Sequence, residues 1–329
     1  MPYIPEEQQR KTEQEAGRQR QRRSRLIHAV LLAAFTGMVL FGMVRLGEYG
    51  LDLINSMKTS RELREVWQET EEPVTETVSE PVTDTPAPTA TPVPETTETI
   101  PEEETAPEQE EKPAAFGNRY PDNPKLKVSE KFQKLRKKSG YIMGWLTMEG
   151  VDEAIVQLDN SFFLNHDAMG NKNYNGAIFL DAGISLLDRP PCLLIYGHSM
   201  KTGAMFGGLK KFEQAGYAYK HRIIQCDTLY EEGTFVIFAV SRISIVRGMA
   251  RYTDLYALTS LEGGVRREAL NSLIAADLTG TVTDVTEEDQ LLMLVTCTSD
   301  DDERLVVAAR RLRENETENS VTLRKAISQ

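Results

Sequence analysis

Cys297, Arg304 and His198 are the residues of this chain whose types and settings could do chemistry. Cys297 closes the apolar run Leu291-Leu-Met-Leu-Val-Thr-Cys297, and a fully polar stretch, Thr298-Ser-Asp-Asp-Asp-Glu303, follows at once. Arg304 then opens a second apolar run, Leu305-Val-Val-Ala-Ala309. Two buried strands joined by a short polar loop would put a thiol and a guanidinium on neighbouring strands. His198 stands just past a third apolar run, Leu193-Leu-Ile-Tyr196, and the intervening Gly197 lets the chain turn sharply. A thiol nucleophile, an imidazole and a guanidinium, each at a strand end, suit acyl transfer.

Each of these residues also has a plainer reading. A lone cysteine in an apolar run is often a small core residue. Cys192 and Cys226 lie inside apolar, strand-like segments and are read that way. Three cysteines make no disulfide framework. Arg304 could be a solvated strand-start residue pairing with Asp301 or Asp302. The acidic run 300–303 reads first as a solvated loop face. It has no histidine or spaced ligands beside it, so no metal site and no cofactor are expected. The other histidines offer no competing context: His28 is in an apolar helix, His166 in a polar loop, and His221 before a strand.

The elements that must position these residues are short and β-like. Apolar segments at 141–148, 154–157, 176–180, 192–196, 222–226, 234–245, 291–296 and 305–309 alternate with turn residues, a spacing that predicts a barrel or sandwich. Glu231-Glu-Gly233 reads as a hairpin turn. Helices are expected at 128–138, 204–214 and 260–276. The folded domain is assigned to residues 116–313, long enough for a real core, with a polar tail at 314–329 expected to fray.

The N-terminal third has a different composition. Residues 26–44 are an apolar run of 19 residues, long enough to cross a bilayer as a helix. Arg18, Arg20, Arg22, Arg23 and Arg25 crowd its N-terminal side. The positive-inside rule then makes residues 1–25 a cytoplasmic arm and puts everything after Val44 outside, in a single-pass membrane protein. A cleaved signal peptide is disfavoured by the length of the run and the lack of a small-x-small site after it. Residues 45–115 form one further region: a possible amphipathic helix at 46–67, then a Pro/Thr/Glu-rich acidic segment read as a disordered stalk. The net charge of −12 is concentrated there. That balance, with no basic-aromatic motif, argues against nucleic acid as a partner.

Several ordered motifs then narrow the reading. They are Tyr141-Ile-Met-Gly-Trp-Leu146, Val156-Gln-Leu-Asp-Asn160 with Phe163-Leu164, Gly176-Ala-Ile-Phe-Leu-Asp181, Tyr196-Gly-His198 with Met205-Phe206, Val295-Thr-Cys297, and Arg304-Leu-Val-Val307. On these motifs the chain resembles a sortase, and specifically the class B sortases, over about residues 141–310. The helical stretch at 260–276 resembles the class B insertion. The resemblance implies a mainly β fold, an eight-stranded barrel with helical insertions, behind one transmembrane helix and a stalk. It implies that Cys297 attacks a peptide carbonyl of a C-terminal sorting signal to form a thioacyl-enzyme. His198 would serve as acid and then base, and Arg304 would stabilise the oxyanion. Asn160, Tyr196 and Thr296 would line the substrate groove. Partners would be surface proteins or pilins carrying the signal, and an amine of a cell-wall precursor or pilin.

The sequence departs from the class B pattern at Val295, at Thr298 after the cysteine, in the short Cys-to-Arg loop, and at Glu153-Ala154. These leave the sorting motif open, as they leave open cell-wall anchoring against pilus assembly. A thiol peptidase and a non-catalytic binding module on a stalk are the other two classes the residues allow.

Overall fold

The computed structural model describes residues 6–69, 120–298 and 302–321. Eight strands close into a barrel: β1 (Ile142–Met148), β2 (Val151–Val156), β3 (Ile178–Leu180), β4 (Cys192–Tyr196), β5 (Ile223–Thr228), β6 (Thr234–Ser244), β7 (Leu291–Cys297) and β8 (Glu303–Arg311). The order around the barrel is β1-β2-β3-β4-β7-β8-β6-β5. Closure leaves no free sheet edge. Each expected apolar segment forms a strand, with bounds moved by a few residues. The expected hairpin turn at 231–233 joins β5 to β6.

Two pairs in this barrel are parallel, β2 with β3 and β4 with β7. A parallel pair cannot be joined by a tight turn and needs a long crossover. The first crossover, 157–177, carries a 3-10 turn at Phe162–Leu164. The second carries β5, β6 and the helical insertion. The insertion is a 3-10 turn at Tyr256–Thr259 followed by a helix at Gly263–Ala275, where sequence reading expects one helix at 260–276. The helix expected at 204–214 is instead a 3-10 turn, Gly207–Glu213, and a short α-helix, Ala215–Lys220. Gly207 and Gly208 at its start lower helix propensity where an α-helix would have to nucleate.

The helices are α1 (Glu6–Glu69), α2 (Glu130–Lys138), α3 (Ala215–Lys220) and α4 (Gly263–Ala275). Among the described residues α1 is the one helix long and apolar enough to cross a membrane. Its apolar side chains at Leu31, Phe35 and Phe41 are exposed. The helix continues unbroken beyond that run, and its last turns join the barrel. Leu63 and Trp67 are buried in the core. Trp67 stacks on Trp145 of β1 at 5.1 Å and packs against Phe132 of α2 at 5.3 Å. Arg64 ties α1 to β2 through the Asp152 carboxylate at 2.6 Å and the Asp152 carbonyl at 2.7 Å. Lower on the helix, Thr59 donates to Asp167, and the carbonyl of Asp52 accepts from Asn173.

Most of the acidic segment lies in residues 70–119, outside the described residues. Its two described flanks, Trp67 and Tyr120, line one cavity together with Tyr230 and Arg311. The C-terminal tail is pinned rather than frayed as far as residue 316. The Glu316 carboxylate grips the fully buried Arg310 guanidinium through two bonds of 2.6 and 2.8 Å. A buried guanidinium with no counter-charge would be costly, which explains why this segment is held.

Glu153 of β2 faces α1 beside Ser60 and Arg64. Burial pushes its carboxyl up from 4.5 to about 7, against the opposing pull of the Ser60 hydrogen bond and the Arg64 charge. The unfolded chain ionises this group near 4.5 and the folded chain near 7. Stability is therefore fullest below the unfolded value, falls as pH rises through that interval, and is lowest above 7. Glu153→Gln stays neutral throughout. It is expected to raise Tm at pH 8, by a stabilisation on the order of 1–3 kcal/mol, and to leave Tm near wild type at pH 4.5. Thermal melts at the two pH values check this; a lower Tm at pH 8 would show that the ionised Glu153 and Arg64 attract more than burial costs.

Candidate functional site

Three neighbouring strands bring the sequence-predicted residues to one end of the barrel. β4 and β7 run parallel in a register that pairs Cys192 with Leu291 and Tyr196 with Val295. The ladder continues for one more bond, from the Gly197 N–H to the Val295 carbonyl at 3.2 Å. His198 and Cys297 are thus each two residues past the last paired couple of these adjacent strands. β7 and β8 run antiparallel, and Cys297 pairs directly with Arg304 as the last couple of that ladder. Three residues scattered over about a hundred positions of sequence are therefore contiguous in space.

His198 is half-buried, and its Nε2 lies 2.6 Å from the Leu164 carbonyl oxygen. A carbonyl can only accept, so Nε2 carries a hydrogen and Nδ1 is the nitrogen that gains and loses the proton. Leu164 is held for this by the 3-10 turn at 162–164, whose entry is capped by Asp159 Oδ1 accepting from the Ser161 and Phe162 N–H groups. That carboxyl is drawn below its usual value, the Phe162 N–H bond being the largest cause.

Arg304 is half-buried, and its Nη1 donates to the Glu303 carbonyl at 2.9 Å. The Glu303 carboxylate is engaged elsewhere. It meets Arg242 at 3.0 Å and Arg251 at 3.0 Å, and Arg242 also meets Glu213 at 2.8 Å. This network fixes the start of β8, where the short loop from Cys297 returns. The loop residues 299–301 lie outside the described residues, so the acidic run is described only at Asp302 and Glu303.

The three residues expected to line a substrate groove take different places. Asn160 is exposed, but both ends of its amide are used within the protein. Its Nδ2 donates to Asp181 at 2.9 Å and its Oδ1 accepts from the Ala182 N–H at 2.8 Å. Tyr196 is half-buried, with its ring on Phe179 at 5.4 Å. Burial pushes its phenol up, and its hydrogen bond with Tyr256 and the nearby Asp181 carboxyl add to this. Thr296 is buried, and its hydroxyl has no hydrogen-bond partner.

Asp181 is a residue that sequence reasoning quoted in a motif without weighing. It is buried at the end of β3 and accepts from Asn160 at 2.9 Å and from the Tyr256 hydroxyl at 2.9 Å. It thereby fastens the loop after β2 and the helical insertion to the barrel beside Tyr196. A single aspartate after an apolar run carries no spacing signal. Tyr256, in the insertion, carries none either. Gly176 opens the same motif and carries no spacing signal either. The other two cysteines are in the core: Cys192 and Cys226 are free and buried, and burial pushes both thiols up. Among the described residues no group of three or more His, Cys, Asp or Glu side chains gathers as a metal site.

This geometry belongs with a known family. Residues 150–312 match the sortase domain model. Over 119 residues the chain is 31% identical to sortase B of Listeria monocytogenes, covering 34% of this chain and 48% of that protein. Over 160 residues it is 25% identical to sortase B of Staphylococcus aureus, covering 48% of this chain and 65% of that protein. The chain therefore spans roughly half to two thirds of these curated relatives. The crystal structure of sortase B from Bacillus anthracis in complex with AAEK2 superposes with a TM-score of 0.51 at 29% identity, covering 60% of this chain and 92% of that one. Residues 150–312 thus form a sortase-like domain, and the relatives that the chain resembles are class B sortases. Sortases are cysteine transpeptidases.

The histidine's seat depends on Gly176, which adopts φ +64°. A Cβ there would lie 2.4 Å from the Phe163 carbonyl oxygen and 3.1 Å from His198 Cδ2. Gly176→Ala is expected to cost at least about 1–2 kcal/mol from backbone strain alone, and to shift the His198 imidazole resonances in an NMR spectrum. Unchanged resonances with an unchanged Tm would show that the turn is not what seats the ring.

Proposed function

We propose that this chain is a membrane-anchored thiol transpeptidase that cuts a C-terminal sorting signal and passes the acyl group to an amine. The observation that carries this reading is the strand register that places the His198, Cys297 and Arg304 backbones side by side at one barrel end. Cys297, as thiolate, attacks the carbonyl carbon of the signal's scissile peptide bond. The carbonyl oxygen takes up negative charge, and Arg304 meets it with planar, forked donors. His198 gives its Nδ1 proton to the leaving amine as the C–N bond breaks, which leaves a thioester on Cys297. The incoming primary amine attacks that thioester, His198 takes its proton back, and the thiolate departs. The new amide joins the surface protein to a cell-wall precursor or to a pilin.

The remaining chain serves delivery. Residues 26–44 anchor the protein, residues 1–25 stay in the cytoplasm, and the catalytic domain at 116–313 lies outside, in keeping with the arginine cluster before the span. Asn160, Tyr196 and Thr296 shape the substrate groove. For Asn160 and Tyr196 this would be indirect, through their ties to Asp181, and the unpaired Thr296 hydroxyl has bonding capacity to spare.

The cysteines give a first test. Cys297→Ala is expected to abolish thioacyl-enzyme formation with a thiol-reactive signal-peptide analogue. Cys192→Ala is expected to keep most of it and to lose stability instead. Labelling that survives Cys297→Ala and disappears in Cys192→Ala would end this assignment.

Arg304→Lys keeps the charge and loses the fork. A drop in single-turnover acylation of about 10²-fold or more is expected, with little change in Tm. A wild-type rate would remove the oxyanion role and leave Arg304 as a partner of the acidic loop, where such a change is nearly silent. Product analysis with and without a primary amine separates transfer from hydrolysis, since a thiol peptidase would be indifferent to the acceptor.

A further inference from the structure

The direction in which α1 lies along the barrel relates the candidate site to the apolar span. α1 docks from Asp52 to Trp67, and its partners change in order along it. Trp67 lies with Tyr120, Tyr230 and Arg311 at the end where β8 finishes and β5 turns into β6. That end is opposite the candidate site, since β8 begins beside Arg304 and ends at Arg311. Arg64 meets the beginning of β2. Thr59 meets Asp167, and Asp52 meets Asn173 and the Tyr174 N–H. Tyr49 packs edge-on against Tyr174 at 5.7 Å. The segment holding Asn173 and Tyr174 is the one that seats His198. The Asn173 N–H bonds the Asn165 carbonyl, and Gly176 lies under the imidazole. The eighteen helical steps from Tyr49 to Trp67 span about 27 Å. The nine residues of β8 span about 30 Å. The docked part of α1 thus runs the length of the barrel, with its span-proximal end at the catalytic mouth.

The distance to the span is short. Tyr49 is five residues past Val44, about 7–8 Å of helix, with no break in α1 between them. Tyr174 is 64% exposed beside it, and Leu158 and Leu164 of the same crossover are exposed at 49% and 43%. Tyrosines favour the headgroup level of a bilayer, where one end of the ring is apolar and the other wet. The described residues that flank the acidic segment, Trp67 and Tyr120, both sit at the far end of the barrel.

We propose that α1 is a strut of fixed length that turns the catalytic mouth toward the bilayer it crosses, with the Tyr49–Tyr174 pair and the 158–176 crossover at the headgroup surface. The proposal rests on the reading that residues 26–44 span the membrane. It confines transfer to acyl donors and amine acceptors presented close to the lipid surface.

The full-length Cys297→Ala chain, reconstituted in phosphatidylcholine/phosphatidylglycerol vesicles, allows a direct test. A fluorophore is placed at Tyr174→Cys or, at the far end, at the exposed Glu232→Cys, and lipid with a headgroup nitroxide is added as quencher. Quenching at 174 is expected to exceed that at 232 at least fivefold. A helical heptad inserted between Gly47 and Glu48 raises the barrel by about 10 Å with little rotation. It is expected to lower quenching at 174 at least twofold, while deletion of residues 80–105 leaves it unchanged. Equal quenching at the two sites, stronger quenching at 232, or sensitivity to the deletion in place of the heptad would overturn the proposal. Alkaline washing separates the two readings. Release of the chain from the vesicles overturns the span and the strut together; retention with the wrong quenching pattern overturns the strut alone.

Discussion

The parallel pairing of β4 with β7 is the contact on which the candidate site depends. It holds five couples, from Cys192 with Leu291 to Tyr196 with Val295, and every residue of them but Tyr196 is buried. Side chains alternate along a strand, so a slip of one residue would carry every side chain of β7 to the other face of the sheet. The buried apolar residues on each strand make such a slip costly, because they would have to change sides with it. β8 then adds Arg304 by antiparallel pairing to the same strand. The two registers that β7 keeps with its neighbours thus set two of the three spatial relations in the site.

Around that register the protein uses polar contacts to hold irregular segments that have no ladder of their own. Leu164 presents a carbonyl to the imidazole from a short 3-10 turn. Asp181 gathers Asn160 and Tyr256 from two separate excursions. Arg242 and Arg251 hold Glu303 at the start of β8. Asp181 is buried and His198, Arg242 and Glu303 are half-buried, where an unmatched polar group or charge would be expensive. Loops near the mouth are therefore fixed by pairing rather than by packing alone.

The strands were legible because each is an apolar run bounded by turn residues, and Cys297, His198 and Arg304 stood out by lying where such runs stop. The barrel and its family were legible from the ordered motifs. Other features had no local signal. Nothing in the run at 291–296 says that it pairs parallel with 192–196, since periodicity reports faces and not neighbours. Trp67 reads as one apolar point on an amphipathic helix, and only the fold shows it stacked on Trp145. Glu316 reads as part of a polar tail because its buried partner, Arg310, is concealed in an apolar strand. Asn160 was legible as a residue of interest, but its amide is bound to Asp181 and Ala182, and that exchange depends on a crossover whose path the sequence does not disclose.

The crossover between β4 and β7 also has a consequence in time. Ninety-four residues, 197–290, separate the two strands that must lie side by side, and Arg304 comes later still. A chain made from its N-terminus has α1, its first strands and His198 long before it has Cys297. Until residue 304 has been synthesised and threaded through, the candidate site is not assembled. Pairs so distant in sequence are also the slow ones to form. Competence for chemistry therefore arrives at the close of folding, once the barrel around it is complete.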